Sequence, residues 1–142
     1  MSDLYKDLVD AACAARNNSH SPYSNFRVGA ALLAISGEVY PGTNVENASI
    51  GLSICAERSA VCAAVARGET AFTAIAVCAD GTDRKPPCGA SRQFRLEFGR
   101  VLKMLLSGEN GSSGEVRDYA MSYLLQHAFE TYVESETRAS GG

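Results

Sequence analysis

From Val28 to Ile35 the chain reads Val-Gly-Ala-Ala-Leu-Leu-Ala-Ile, without one polar side chain. A short apolar run bounded by turn residues reads as a buried strand. Ser36-Gly37 then turns the chain into a second strand near Glu38–Asn44, which makes a hairpin. Ala71–Ala79 and Val101–Leu106 have the same strand character. Between and around them lie helical patterns. Leu4, Leu8, Ala11, Ala12 and Ala15 recur at helical spacing over residues 3–16, and Cys55–Arg67 is alanine-rich and stops at Gly68. Cys88–Phe98 reads as a short helix ending at Gly99, and Asp118–Phe129 as another. Asn17–Asn25, Asn44–Ser53, Asp80–Pro87 and Ser107–Gly114 are polar or turn-rich connections. The order β-β-α-β-α-β with a helix at each end predicts a mixed sheet with helices packed on its faces. Residues 1–133 form one expected domain, and 134–142, ending Ser-Gly-Gly, an expected disordered tail.

A chain of 142 residues suffices for one core and no more. No apolar run approaches the roughly 20 residues that span a bilayer, and the polar, acidic N-terminus is unlike a secretory leader, so a cytoplasmic protein with no membrane partner is expected. Net charge is −3 with no basic block, which argues against a nucleic-acid partner. Arg92, Arg95 and Arg100 are the nearest approach to a cluster, and on a short helix they read as solvated surface. The five cysteines are odd in number and lack the spacing of a disulfide framework. Cys13, Cys62 and Cys78 fall within helix or strand interiors and read as core; His20 and His127 lack metal-like spacing.

That leaves Cys55 and Cys88, each at the expected start of a helix, where unpaired N–H groups and the positive dipole end favour a thiolate. Two such helix starts at one sheet edge can present both sulfurs to one cation. Glu57, on the same first turn as Cys55, can reach a water on that cation without ligating it, and can carry a proton to a leaving amine. Cys-Ala-Glu alone is weak evidence. Joined to Pro87-Cys88-Gly89-Ala90-Ser91-Arg92-Gln93 it approaches the zinc-deaminase pattern Cys-x-Glu followed by Pro-Cys-x-x-Cys.

The chain resembles the small homotetrameric cytidine deaminases that act on free nucleosides. The resemblance runs from about Tyr5 to Phe129. It is carried by Ser21-Pro22-Tyr23-Ser24, Phe26-Arg27-Val28-Gly29-Ala30-Ala31, Asn44-Val45-Glu46-Asn47-Ala48, Cys55-Ala56-Glu57-Arg58, Pro87-Cys88-Gly89, Arg92-Gln93, Leu124-Leu125 and Ala128-Phe129. It implies a three-layer α/β/α fold around a central five-stranded mixed sheet. It implies one zinc ion per chain, held by Cys55, Cys88 and position 91, and hydrolytic deamination of cytidine or deoxycytidine by zinc-bound hydroxide with Glu57 as proton shuttle. Phe26 would pack on the pyrimidine, Asn44 and Glu46 would hold the ribose hydroxyls, and Ala56 would offer backbone groups to the base. Arg58 would hydrogen-bond the ligand sulfurs, and Phe129 would reach a neighbouring subunit's pocket, so that active sites are shared. Taken singly, each has a plainer reading: Phe26 as a core aromatic, Asn44 as a turn residue, Glu46 as a solvated acid, Arg58 as an exposed helix arginine.

Three residues depart from that pattern. Ser91 stands where the family has a third cysteine, Ile50 where it commonly has tyrosine, and Gln126 where it has proline. A neutral hydroxyl is a poor zinc ligand beside a thiolate. A full site in small zinc domains contributes about 10–16 kcal/mol, and losing one thiolate removes several of these. Ser91 therefore keeps open a zinc-poor nucleoside-binding paralogue, and Ile50 a deaminase of another aminated nucleoside.

Overall fold

A computed structural model describes residues 1–81 and 103–120. Within them lie helices α1 (Asp3–Arg16) and α2 (Ala56–Ala66) and strands β1 (Val28–Ala34), β2 (Val39–Thr43), β3 (Phe72–Ala79), β4 (Lys103–Ser107) and β5 (Val116–Ala120). The strands form one mixed sheet in the order β2-β1-β3-β4-β5. Only β3 and β4 pair in parallel; the other three ladders are antiparallel.

The continuous apolar runs follow from burial on both faces. Ala30, Leu32, Ile75, Val77, Met104 and Leu106 pack with Ala56, Ala60, Val61 and Ala64 of α2 on one side. Ala31, Leu33, Ala74, Ala76, Cys78 and Leu105 pack with Leu8, Val9 and Ala12 of α1 on the other. Alternation along each strand thus deals side chains to two helices, and the result is the expected three-layer arrangement about a five-stranded sheet. Two glycines set the spacing of these layers. A Cβ on Gly29 would lie 2.0 Å from the Ala12 carbonyl oxygen, and one on Gly42 would lie 2.4 Å from the Ala56 oxygen and from the Ala60 nitrogen. Helix backbone therefore rests on strand backbone at both points.

Local signals place the ends. Ser2 caps α1 by accepting from the Tyr5 N–H. Helix α2 closes through Gly68 at φ +85°, with the Glu69 N–H returning to the Ala64 carbonyl.

Three expectations are corrected. Asp118 lies in β5 and not in a helix: residues 116–120 pair antiparallel with β4, Tyr119 packing toward the α2 side and Val116 toward the α1 side. The exposed edge of β4 and the Lys103–Asp118 ion pair at 3.0 Å outweigh the local helical pattern. Cys13 and Cys78 are not separate core thiols. They form a disulfide, because α1 lies across β3 and brings their Cα atoms within 5.1 Å. Cys62 is exposed, off the face of α2 that Ala60, Val61 and Ala64 bury. The expected helix at Cys88–Phe98, residues 121–129 of the C-terminal one and the tail at 134–142 lie outside the described residues.

Gly42→Ala is expected to cost about 3 kcal/mol or more in urea unfolding, because neither contacting group is a flexible side-chain end. A loss below about 1 kcal/mol, the cost of an ordinary surface change, would show that α2 can lift from β2.

Candidate active site

The start of β1 and the ends of β2 and β3 meet at one end of the sheet, since Val28 pairs with Ala79 and Gly29 with Thr43. Helix α2 begins there, seated on Gly42, with the Thr43 N–H donating to Ser59 Oγ at 3.4 Å. Cys55 is its N-cap, in extended conformation, and is half-buried. Glu57, in the first turn, is 6% exposed, and Ala56 is fully buried. Arg58 Nε donates to Cys55 Sγ at 3.2 Å. A guanidinium on that sulfur is the setting a thiolate ligand needs, and the described part of the expected donor set fits a zinc ion in its chemistry.

A two-way bridge between Val45 and Ile54, both hydrogen bonds 2.8 Å, lays the segment after β2 beside the segment before α2. This brings Asn44 and Glu46 to the same end of the sheet. Asn44 Nδ2 donates to the Phe26 carbonyl at 2.8 Å, and its Oδ1 accepts from the Val28 N–H at 2.9 Å and from the Ser19 hydroxyl. Glu46 Oε1 accepts from the Tyr23 and Ser24 N–H groups, both at 3.1 Å, and Oε2 from the Ser24 hydroxyl. The Ser24 hydroxyl in turn accepts from the Phe26 N–H at 3.0 Å. These bonds hold the Glu46 carboxyl below its ordinary pKa: the Ser24 hydroxyl contributes most and the Ser24 N–H next, against a smaller opposing effect of burial.

The plainer readings of Phe26, Glu46 and Arg58 do not describe them, whereas the described bonds of Asn44 are those of a residue that builds the loop. Phe26 is 40% exposed and belongs to neither core cluster. Glu46 is half-buried and accepts three hydrogen bonds, and Arg58 meets the Cys55 sulfur. Cys88, Ser91 and Phe129 lie outside the described residues. Among the described residues no three His, Cys, Asp or Glu side chains converge as a metal cluster.

An open cavity of about 550 Å³ adjoins the site, lined by Tyr23, Ser24, Glu46, Asn47, Ala48, Ile50 and Ser53. Its volume suits a small ligand, yet Glu57 and Cys55 are not in its wall. Glu46 is the expected site residue that lines it. Ser19, Ser24 and Asp80 carry much of this geometry and were not singled out from the sequence. Ser24 stood within a recognisable motif, whereas Ser19 and Asp80 had no local signal.

Residues 2–106 match the family described as the cytidine and deoxycytidylate deaminase zinc-binding region. The chain belongs to this family. It is similar to the cytidine deaminase of Halalkalibacterium halodurans, 43% identical over 122 residues that cover 86% of this chain and 91% of that protein. A probable cytidine deaminase of Dictyostelium discoideum is 52% identical over 92 residues, 64% of this chain and 63% of its own length. The crystal structure of a Burkholderia pseudomallei cytidine deaminase superposes with a TM-score of 0.83 at 44% identity, covering 91% of this chain and all of that one. The family's description names a zinc-binding region, which suggests zinc as the metal.

Because the Glu46 pKa is lowered on folding, its contribution to stability is complete above its ordinary value of 4.5 and is lost as pH falls through the lower folded value. Carboxyl NMR is expected to show Glu46 titrating below 4.5, and Ser24→Ala is expected to move it upward. An unchanged titration in Ser24→Ala would break the assigned hydrogen-bond link.

Proposed function

We propose that the chain hydrolyses cytidine or deoxycytidine to the uridine product and ammonia. The observation that carries this reading is Glu57: a carboxylate 6% exposed on the first turn of α2, beside Cys55, in a chain of the cytidine deaminase family. Zinc, held by Cys55, Cys88 and, more weakly, Ser91, would supply the Lewis acidity that makes water a nucleophile near neutral pH. Glu57 takes a proton from the attacking water, passes it to the ring nitrogen beside the reacting carbon, and later protonates the departing ammonia. Water's oxygen becomes the carbonyl of the uracil ring as Glu57 carries the second water proton to the amino group, which leaves as ammonia, while the first proton stays on the ring nitrogen.

Phe26 packs on the pyrimidine, and the buried start of α2 at Ala56 offers its backbone to the base edge. Asn44 and Glu46 hold the ribose. An ionised carboxylate accepts at about four lone-pair positions, and the loop engages Glu46 three times, which leaves a place for one sugar hydroxyl. Arg58 offsets the charge of the Cys55 thiolate. Phe129 completes a neighbouring subunit's pocket in a homotetramer, residues 1–133 form the folding unit, and the enzyme works in the cytoplasm.

Glu57→Gln is expected to lower cytidine turnover by about 10²–10⁴-fold with the fold intact. Turnover equal to that of the parent chain would show that Glu57 carries no proton in the reaction. Ser91→Cys is expected to raise both the zinc retained per chain after dialysis and the rate of uridine formation. If neither changes, position 91 is not a zinc ligand.

A further inference from the structure

Among the described residues Phe26 is exposed and belongs to neither core cluster, and the contacts that hold it there are made to its backbone. Three groups hold that backbone. Ser24 accepts from its N–H and Asn44 donates to its carbonyl. The third anchor is Asp80, at the end of β3, acting on the next residue. Asp80 Oδ2 accepts from the Arg27 N–H at 2.9 Å and from Arg27 Nε at 3.1 Å, and Oδ1 accepts from Arg27 Nη2 at 3.1 Å. The Asp80 N–H returns to the Arg27 carbonyl at 3.0 Å. Main chain and side chain of one residue are thus both engaged by a single aspartate.

The clamp has a back wall. Arg16, at the last turn of α1, places Nε 3.6 Å from Asp80 Oδ1 and donates from Nη1 to the Ala79 carbonyl at 3.5 Å. Its side chain is 12% exposed, against 46% for Arg27. Burial pushes the Asp80 carboxyl up, but the Arg27 hydrogen bonds and the charges of Arg27 and Arg16 together hold it below its ordinary value. Asp80 therefore stays ionised between two guanidinium groups.

Its difference from the other anchors is that it has one task. Asn44 and Glu46 divide their polar atoms between the loop and, on the reading above, the sugar. Among the described residues Asp80 bonds to Arg27 and Arg16 and to no residue assigned to substrate, so its described contacts all serve the Phe26–Arg27 peptide. The Arg27 side of the clamp lies at the surface, where an ion pair contributes little to global stability, and its value lies in orientation.

We propose that Asp80, braced by Arg16, is a positioning residue that fixes Arg27 and thereby presets Phe26 against the pyrimidine. This rests on the nucleoside reading of the site. It joins the end of β3, the strand that precedes the Pro87-Cys88 motif in sequence, to the aromatic that receives the base.

The test uses the full, zinc-loaded chain. Asp80→Asn keeps the shape and removes the charge and the paired acceptors. It is expected to raise KM for cytidine, and Kd for the product uridine, by about tenfold, with kcat within about twofold of the parent, because the lost contact serves ground state and transition state alike. Amide hydrogen exchange at Phe26 and Arg27 is expected to accelerate by a similar factor, while the melting temperature shifts by no more than about 2 °C. Arg27→Met is expected to reproduce the KM effect, and the double variant to add little to either single one. Unchanged amide protection, or faster exchange with KM and Kd unmoved, overturns the positioning role even if the parent chain is a good deaminase. A fall in kcat and stability together with constant KM overturns it as well, since that is the mark of a merely structural ion pair. A parent chain that neither binds nor converts any pyrimidine nucleoside defeats the functional reading first and this inference with it; amide exchange separates that failure from failure of the clamp itself.

Discussion

The seating of α2 on β2 is the contact on which the site depends. At Gly42 the strand offers no side chain, and the backbone of Ala56 and Ala60 comes within the space a single methyl group would fill. A helix held that closely has little freedom to slide or tilt, since packed interiors yield poorly to added volume. Cys55, Ala56 and Glu57 are its first residues, so their positions relative to the sheet end are inherited from main-chain packing. Gly29 plays the same part for α1 on the opposite face and holds Arg16 in reach of Asp80. Two glycines, one per layer, thus fix the frame to which the polar groups attach.

The second principle of the site is shared use of polar atoms. Asn44 satisfies an acceptor on Phe26 and donors on Val28 and Ser19, and Glu46 satisfies donors on Tyr23 and Ser24. These residues build the loop before they bind anything. A loop organised in this way meets its ligand with its ordering entropy already spent, and only the remaining lone pairs need to find new partners. On the proposed function, substitutions at Asn44 and Glu46 would confound folding with binding, whereas Glu57 would report on chemistry more cleanly.

Much of this was legible in the residues. The apolar runs at Val28–Ile35 and Ala71–Ala79 revealed strands buried on both faces, and α1 falls on the residues its periodicity predicts. Gly68 marked the stop of α2, and Cys55 falls at its N-cap, where the alanine-rich stretch was read to begin. What was not legible is what tertiary contact decides. Asp118 read as the start of a helix, and pairing with β4 makes residues 116–120 a strand. The Cys13–Cys78 bond joins positions 65 apart in sequence, and no local pattern announces that one helix crosses one strand there. Asp80 read as the first residue of a loop, because its partners lie 53 and 64 positions away in sequence, counting back from 80 to 27 and to 16.

The proposed function makes a spatial claim: one pyrimidine nucleoside spans the start of α2 and the loop tied to Asn44 and Glu46. A crystal structure of the zinc-loaded chain with uridine bound tests it most directly. The account predicts the base against Phe26, with its edge at Ala56 and the Glu57 carboxylate, and the ribose hydroxyls within hydrogen-bond distance, about 3 Å, of Asn44 and Glu46. Uridine bound elsewhere, or bound with its base remote from Glu57, would contradict it.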